Sequence, residues 1–308
     1  MTSHRSLSRR VMLSMALLAL LLQGCQGRKA LPQPDADAPL REALAALCDN
    51  VDGRVGVAAA MADGRLITFG DTTSFPLLSV VKFPQAIALC RCLDEQQRTL
   101  DDTLHITSAE LLPDTWSPLR DEHPAGGTFT IGELLRWSLV MSDNNACDIL
   151  FHRLCSVGDT EARIHALGFT DCHIEVDEQA MRSDLTQCYR NAVTPATAVQ
   201  MLQYLYAHRD ETHLSTVWED MALCQTGQHR IPAGVLHDSA TVVHKTGTGP
   251  VVDGRLLALN DAGIVLYPDG TQLTLAIFVS DAALTADQAE ALIAAITRTI
   301  TRTARAAE

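Results

Sequence analysis

Lysine is scarce in this sequence. Only Lys29, Lys82 and Lys245 occur in 308 residues, against 21 arginines. Arginine stays charged in proteins, whereas a buried lysine can release its proton. The two lysines of the globular body therefore indicate positions where an amine that can lose its charge is useful.

Positively charged residues are also few relative to acidic ones. The formal net charge is −13, and residues 1–24 contain three arginines and no acid, so removing these three charges leaves −16 on the remainder. Such a body repels nucleic acid and anionic lipid headgroups, which excludes both as expected partners.

Patterns that bind metals are missing. No CxxC pair occurs, and none of the eleven histidines forms an HxH or HExxH arrangement, so we expect no metal and no cofactor. Eight cysteines follow Cys25, at positions 48, 90, 92, 147, 155, 172, 188 and 224. They are interpreted as small buried side chains or as one or two disulfides whose pairing the sequence does not determine.

A long apolar run is missing as well, since the N-terminal "VMLSMALLALLL" is too short to span a membrane comfortably. With its basic start it predicts a signal peptide over residues 1–24, and hence an exported, periplasmic protein. The "LQGC" segment resembles a bacterial lipobox, which predicts lipid attachment at Cys25, with simple cleavage as the alternative. Residues 25–38 are predicted to form a tether, and this anchor is the only expected membrane contact.

Apolar periodicity predicts an α+β fold. Strand patterns lie in "RVGVAAAMADGRLITFG" and between residues 240 and 281, with turns at Asp63-Gly64 and Asp269-Gly270. Helical patterns cover residues 80–97, 130–140, 143–156, 159–167, 195–208 and 286–307. We therefore expect one antiparallel sheet with flanking helices, built from residues 39–78 and 230–308, and an all-helical insertion over residues 79–229.

The stretch "SVVKFPQ" carries the first candidate motif. Pro84 is tolerated only near a helix start, which predicts that a helix begins at Ser79 or Val80. Ser79 and Lys82 then lie one turn apart on one face, where an amine with a lowered pKa can activate a hydroxyl. A capping serine followed by a surface lysine is the alternative.

Two further motifs follow along the chain. "SDN" occupies residues 142–144 after a predicted helix, and "KTGT" ends a β-branched strand at residues 245–248. Alone, the first is compatible with a simple helix cap, and the glycine of the second permits close approach of a backbone or ligand.

The three motifs, in this order and 63 and then 103 residues apart, resemble those of the penicillin-recognising serine enzymes. The chain is most similar to class A β-lactamases over about residues 40–305. Longer matches, "MSDNNACDIL", "YRNAVTP", "TGQHR" and "NDAGIVLYP", are typical of the subgroup rich in cephalosporinases and extended-spectrum enzymes. This resemblance implies a β-lactamase/transpeptidase-like fold.

The resemblance also implies a catalytic carboxylate on a loop at about residues 174–193, and Glu178 fits that position best. The loop departs from the familiar penicillinase pattern, because Gln179 stands in place of a proline and Arg182 in place of an asparagine. Two neighbouring acids, Asp177 and Glu175, remain alternatives, as does a solvated acidic loop without a catalytic role.

The roles that the family implies can be assigned residue by residue. Ser79 attacks the β-lactam carbonyl, Lys82, Glu178 and a water share the general-base role, and Ser142 relays a proton to the leaving nitrogen. The backbone N–H groups of Ser79 and Thr248 form the oxyanion hole. The residues expected to bind substrate are Asn144, Lys245, Thr246, Thr248 and Arg230, the last with a surface arginine as alternative. Trp116 lies on a loop that flanks the cleft entrance in the family, with a packing role as the alternative.

The implied function is hydrolysis of penicillins and cephalosporins by a monomer, which confers β-lactam resistance. One alternative is a D,D-peptidase or penicillin-binding protein acting on peptidoglycan stem peptides, which would not need the loop glutamate. Another is a noncatalytic lipoprotein that binds cell-wall fragments, for which an intact Ser79 and Lys82 have no use.

Overall fold

The two ends of the chain build one antiparallel sheet, as the sequence predicts. A computed structural model describes residues 37–235 and 239–306. The strand order is β2-β1-β11-β10-β8, and the short β9 pairs with β10. These strands are β1 Arg54–Ala60, β2 Leu66–Gly70, β8 Thr241–Thr248, β9 Val251–Val252, β10 Arg255–Leu266 and β11 Gln272–Ala282.

Both faces of this sheet are buried. Along β1, Val55 and Val57 contribute to one hydrophobic core and Ala58 to a second core on the opposite face, since side chains alternate along a strand. The first core is closed by the terminal helices α1 Ala38–Cys48 and α11 Ala286–Ala306. The sheet therefore separates two cores, which accounts for the nearly continuous apolar runs of its strands.

The two predicted hairpin turns are confirmed. Gly64 has φ +85° and Gly270 has φ +90°, values that glycine adopts without steric cost. The second turn is closed by hydrogen bonds between Tyr267 and both Gly270 and Thr271. The register of β10 against β11 follows, with Leu266 opposite Gln272.

The middle of the chain is mainly helical. Its helices are α2 Lys82–Gln96, α3 Pro118–Glu122, α4 Ile131–Val140, α5 Asn144–Arg153, α6 Val157–Ala166, α7 Glu178–Ser183, α8 Pro195–Ala207, α9 Thr212–Ala222 and, beyond residue 229, α10 Ile231–Val235. It also carries short strands that the sequence patterns did not predict: β4 Thr103–Thr107 pairs with β5 Gly126–Thr130, and β7 Ala192–Val193 pairs with β3 Phe75–Pro76 and β6 Cys172–His173.

Helix α2 begins later than the sequence predicts. Leu78 has φ +48°, outside the range of a right-handed helix, and a single 3₁₀ turn at Leu78–Val81 precedes the α-helix at Lys82. The helix then buries Phe83, Ile87 and Leu93 completely. This burial fixes the start of α2, and with it Lys82, inside the second core.

Residues Pro39–Glu308 form one compact unit. The predicted signal peptide, most of the tether and Cys25 lie outside the described residues. Within residues 37–235 and 239–306, no helix is both long and apolar enough to cross a membrane. The eight cysteines of this part are all free thiols, and all except Cys48 are buried, as expected for small core side chains.

Candidate active site

Ser79 and Lys82 meet as their spacing predicts. Lys82 Nζ donates to Ser79 Oγ at 2.8 Å, and the lysine side chain is completely buried. Ser79 directly follows the left-handed Leu78 and lies with it in the 3₁₀ turn Leu78–Val81. A non-glycine residue held in this conformation stores about 1–3 kcal/mol of strain, and such strain is typical of functional sites.

Glu178 completes this cluster. Its carboxylate forms a buried ion pair with Lys82 and accepts a hydrogen bond from Ser79 Oγ at 3.4 Å. Glu178 is only 8% exposed. A hydroxyl, an amine and a carboxylate are thereby in mutual hydrogen-bonding contact, although Ser79 and Glu178 are 99 residues apart in sequence.

Asp148 holds the segment that carries Glu178. Its two carboxylate oxygens accept the backbone N–H groups of Glu178 at 2.8 Å and Gln179 at 2.9 Å, the first residues of α7. Burial and the nearby Glu178 raise the pKa of Asp148 to about 7. The sequence patterns predict a loop here and indicate neither α7 nor Asp148. The available signal was an acid on the apolar face of the helix after "SDN".

The alternative acids of this loop are engaged elsewhere. Asp177 caps α7 by accepting from Ala180 N at 2.8 Å, and its other oxygen lies 2.8 Å from His152 Nε2. Glu175 is paired with Arg190 at 2.9 Å. Of the three acids considered from the sequence, Glu178 is the one that contacts Ser79 and Lys82.

The "SDN" segment enters the cleft from the end of α4. Ser142 is held at φ +58°, and the buried Asp143 caps α5 by accepting from Ala146 N at 2.8 Å. Asn144 Oδ1 accepts from Lys82 Nζ at 2.8 Å. The helix cap that the sequence allows for this motif is therefore formed by Asp143, while Asn144 contacts Lys82.

The "KTGT" strand forms the opposite wall of the cleft. Lys245 Nζ donates to Ser142 Oγ at 2.9 Å and to Thr246 O at 3.1 Å. A Cβ at Gly247 would lie 2.6 Å from Leu77 O, so the glycine allows β8 to approach the backbone just before Ser79.

The two buried lysines differ in their pKa. Burial opposes the charge of Lys82, but the Glu178 carboxylate outweighs it and raises the pKa of Lys82. Burial also acts on Lys245 and lowers its pKa to about 8. Lys82 therefore does not have the lowered pKa at which an amine can activate the hydroxyl directly, because the acid lies directly against the amine.

Arg230 lies behind β8 and is not a surface arginine, since it is 4% exposed. Its guanidinium donates to Thr248 Oγ1 at 2.6 Å and to Gly247 O at 3.0 Å, and it pairs with Glu290 at 3.1 Å. The contact to Thr248 connects the arginine to the wall of the cleft.

The cleft encloses about 320 Å³. Its lining residues are Ser79, Trp116, Ser142, Asn144, Thr226, Thr246 and Thr248. Trp116 is 60% exposed and donates from its ring N–H to Met141 O at 2.9 Å, so it lines the cleft instead of packing in a core. Thr226, which the sequence analysis did not single out, lies 2.5 Å from the Thr246 hydroxyl.

A second polar cluster lies near β8. His244 Nδ1 is 2.9 Å from Asp261 Oδ1, and although burial opposes the charge, this carboxylate raises the pKa of His244 to about 10. Burial likewise opposes a thiolate at Cys224, but a hydrogen bond with His244 prevails and lowers the pKa of Cys224 to about 7. Cys224 also contacts Thr226 Oγ1 at 3.4 Å, so this cluster adjoins the lining of the cleft.

An antiparallel sheet flanked by helices, with "SxxK", "SDN" and "KTG" meeting in one cleft, defines the class of penicillin-recognising serine enzymes. The model of the β-lactamase enzyme family matches residues 39–304. A β-lactamase of Bacteroides uniformis is 33% identical over 268 residues, 85% of this chain and 90% of the relative. VEB-1 of Pseudomonas aeruginosa is 31% identical over 252 residues, 80% of this chain and 84% of the relative.

Solved structures of β-lactamases are also similar to this chain. A β-lactamase from Chitinophaga pinensis is 35% identical with a TM-score of 0.83, covering 88% of this chain and 100% of its own. The TLA-1 extended-spectrum β-lactamase is 31% identical with a TM-score of 0.82, covering 86% of this chain and 98% of its own. The chain belongs to the β-lactamase enzyme family, and the resemblance to the extended-spectrum subgroup of class A is confirmed.

Proposed function

We propose that this β-lactam hydrolase works through a Ser79 acyl-enzyme whose formation and hydrolysis depend on Lys82 and Glu178. One observation carries the proposal: Ser79 Oγ lies in hydrogen-bonding contact with both the buried amine and the buried carboxylate. A hydroxyl becomes an effective nucleophile when an adjacent base removes its proton. Hydrolysis of β-lactams, with the resistance it confers, is the function that the family membership supports, and the D,D-peptidase alternative is not favoured.

The charges of the resting site favour Glu178 as the initial base. Lys82 is the cation of the pair because its pKa is raised, so it can accept the Ser79 proton only after giving one of its own to Glu178. A carboxylate at 3.4 Å from the hydroxyl needs to move slightly closer, as is common when substrate binds. The Ser79 proton can thus pass directly to Glu178, or to Lys82 after Lys82 has protonated Glu178. In both routes the proton stays within the cluster of Ser79, Lys82 and Glu178, which a water completes.

The other motif residues are proposed to act on the leaving group and the substrate carboxylate. Ser142, bound to Lys245, relays a proton to the β-lactam nitrogen. Thr246 and Thr248 hydrogen-bond the carboxylate, and Asn144 binds the side-chain amide. Arg230 is proposed to support binding of the carboxylate indirectly, by donating a hydrogen bond to Thr248 Oγ1. The backbone N–H groups of Ser79 and Thr248 would stabilise the oxyanion by about 3–4 kcal/mol each.

The cell location remains a proposal from the sequence. The basic, apolar start and "LQGC" support export to the periplasm with lipid attachment at Cys25. We propose that the enzyme acts there as a monomer, with residues 25–38 as a tether. Mass spectrometry of protein purified from membranes should show a diacylglyceryl modification at Cys25; an unmodified N-terminus beginning at another residue would contradict it.

A turnover assay tests the proposed chemistry. Purified protein should hydrolyse a chromogenic cephalosporin with many turnovers per active site, and Ser79→Ala should abolish this activity. A single burst followed by a stable adduct would instead favour a penicillin-binding protein. Turnover retained in Ser79→Ala would exclude the serine mechanism, and Ser108→Ala, outside the cleft, is a matched control that should keep full activity.

A further inference from the structure

Three potential metal ligands converge outside the cleft. Glu161 and His165 lie on α6 and His173 lies on β6, and one ligand atom of each is within 4.8 Å of the others. We infer that these three side chains form a binding site for a divalent transition-metal ion, with zinc as the ion that fits best. No local sequence motif marks this set, because it combines a helix with a separate strand.

The backbone already orients two of the ligands. A separation of four residues places Glu161 and His165 on the same face of α6. His165 Nε2 lies 2.8 Å from Cys172 O, and because a carbonyl oxygen only accepts, Nε2 carries the hydrogen. An imidazole that donates from Nε2 can offer a lone pair only at Nδ1. Histidines that bind metals usually anchor their other ring N–H to a carbonyl or carboxylate in this way.

The third ligand belongs to a strand that is held independently. His173 on β6 is opposite Ala192 on β7, and its Nδ1 lies 3.6 Å from Glu161 Oε1. The rings of His165 and His173 are perpendicular, with centroids 6.0 Å apart, so they do not stack face to face. This edge-to-face arrangement leaves one nitrogen of each ring within 4.8 Å of the other and of a Glu161 carboxylate oxygen.

The distances require only side-chain adjustment. Zinc bonds of about 2.0–2.1 Å in tetrahedral geometry place ligand atoms about 3.4 Å apart. A separation of no more than 4.8 Å therefore has to contract by at most about 1.4 Å, which side-chain rotation can supply. Glu161 and His165 are half-buried and His173 is exposed, so water can reach the site and occupy the fourth position.

The donor set selects the kind of ion. Two imidazoles and one carboxylate suit zinc and its neighbours in the transition series, whereas magnesium and calcium prefer oxygen ligands throughout. The Glu161 carboxylate supplies negative charge, and it also accepts the backbone N–H of Ile174 at 3.2 Å. A bound ion would thus connect α6 to the point where the chain leaves β6 and enters the loop that carries Glu178.

Metal titration of the chelator-treated full chain tests the inference. Zinc should bind with a stoichiometry of one per chain by calorimetry, and cobalt should give the strong visible absorption of a tetrahedral site. His165→Gln and His173→Gln should each weaken binding at least about tenfold, whereas His105→Gln, a histidine on β4, should leave it unchanged. Zinc binding should also raise the melting temperature of the wild type and not that of His173→Gln.

A measurement on the wild type covers the case of a variant that fails to fold. Zinc should protect His165 and His173, and not His105, from acylation by diethyl pyrocarbonate, as read by peptide mass spectrometry. Absence of zinc binding up to millimolar concentration, equal binding in His173→Gln, or equal acylation with and without zinc would each overturn the inference. These outcomes are independent of β-lactam turnover, because none of the three residues lines the cleft.

Discussion

The two buried lysines of the cleft should respond in opposite ways when their charge is removed. Lys245 has its pKa lowered from 10.5 to about 8, chiefly by burial. Since one pKa unit corresponds to about 1.4 kcal/mol, keeping Lys245 protonated costs the folded state about 3 kcal/mol below pH 8. Lys82, by contrast, has its pKa raised by Glu178, so its charge stabilises the fold.

The sign follows from proton binding. Between pH 8 and 10.5 the unfolded chain retains the Lys245 proton that the folded protein has lost, so the contribution of this group to stability rises with pH. From about pH 7 to about pH 9.5 the wild type should therefore gain about 2 kcal/mol of unfolding free energy relative to Lys245→Met. Methionine has a similar shape and no charge to titrate, so the variant lacks this gain.

Urea unfolding at the two pH values measures this difference, with Lys82→Met as the matched control. The control should be less stable than the wild type by about 3–5 kcal/mol at both pH values, because it leaves a buried carboxylate without its partner. The reasoning is refuted if the stability difference between wild type and Lys245→Met is the same at both pH values, or if Lys82→Met is as stable as the wild type.

Two further predictions concern groups beside the cleft. Cys224 has a pKa of about 7, whereas the pKa of the more exposed Cys48 is raised to about 11, so Cys224 should react faster with iodoacetamide near neutral pH. His244→Asn should remove this difference in rate. Peptide mass spectrometry that shows Cys48 reacting fastest would contradict the prediction. Asp148→Ala should slow deacylation by at least about tenfold, because it removes the acceptor for the two backbone N–H groups that position Glu178 at the start of α7. Asp148→Asn should slow deacylation less, because one acceptor oxygen remains. Stopped-flow deacylation rates equal to wild type in Asp148→Ala would show that the loop is held by other contacts.

Much of the architecture follows from local pattern. The period-two and period-3.6 runs predict the sheet and most of the long helices because these are buried on a defined face, but the 11-residue helix α9 Thr212–Ala222 is not among the predictions. Gly64 and Gly270 mark turns that other residues would strain. The short helices α3 and α7 were missed because they span five and six residues, less than two turns, and are set by caps such as Asp177 instead of by apolar periodicity.

The site was predictable where the chemistry is local and unpredictable where it depends on long-range contacts. The spacing of Ser79 and Lys82 on one turn anticipates their hydrogen bond. The raised pKa of Lys82 could not be read from the sequence, because its sign depends on how close Glu178 comes across 96 residues. The contacts of Asp148 and Thr226 could not be read from the sequence either. Asp148 accepts from the backbone of Gln179, 31 residues away, and the Thr226 hydroxyl contacts that of Thr246, 20 residues away.

The most direct measurement of the central claim is the fate of the acyl-enzyme in Glu178→Gln. If Ser79, Lys82 and Glu178 act as one centre, intact-protein mass spectrometry after mixing with a cephalosporin should show an adduct that accumulates on Ser79 and persists, while the wild type returns to its unmodified mass. A variant that turns over substrate at the wild-type rate, or an adduct on a residue other than Ser79, would contradict the account.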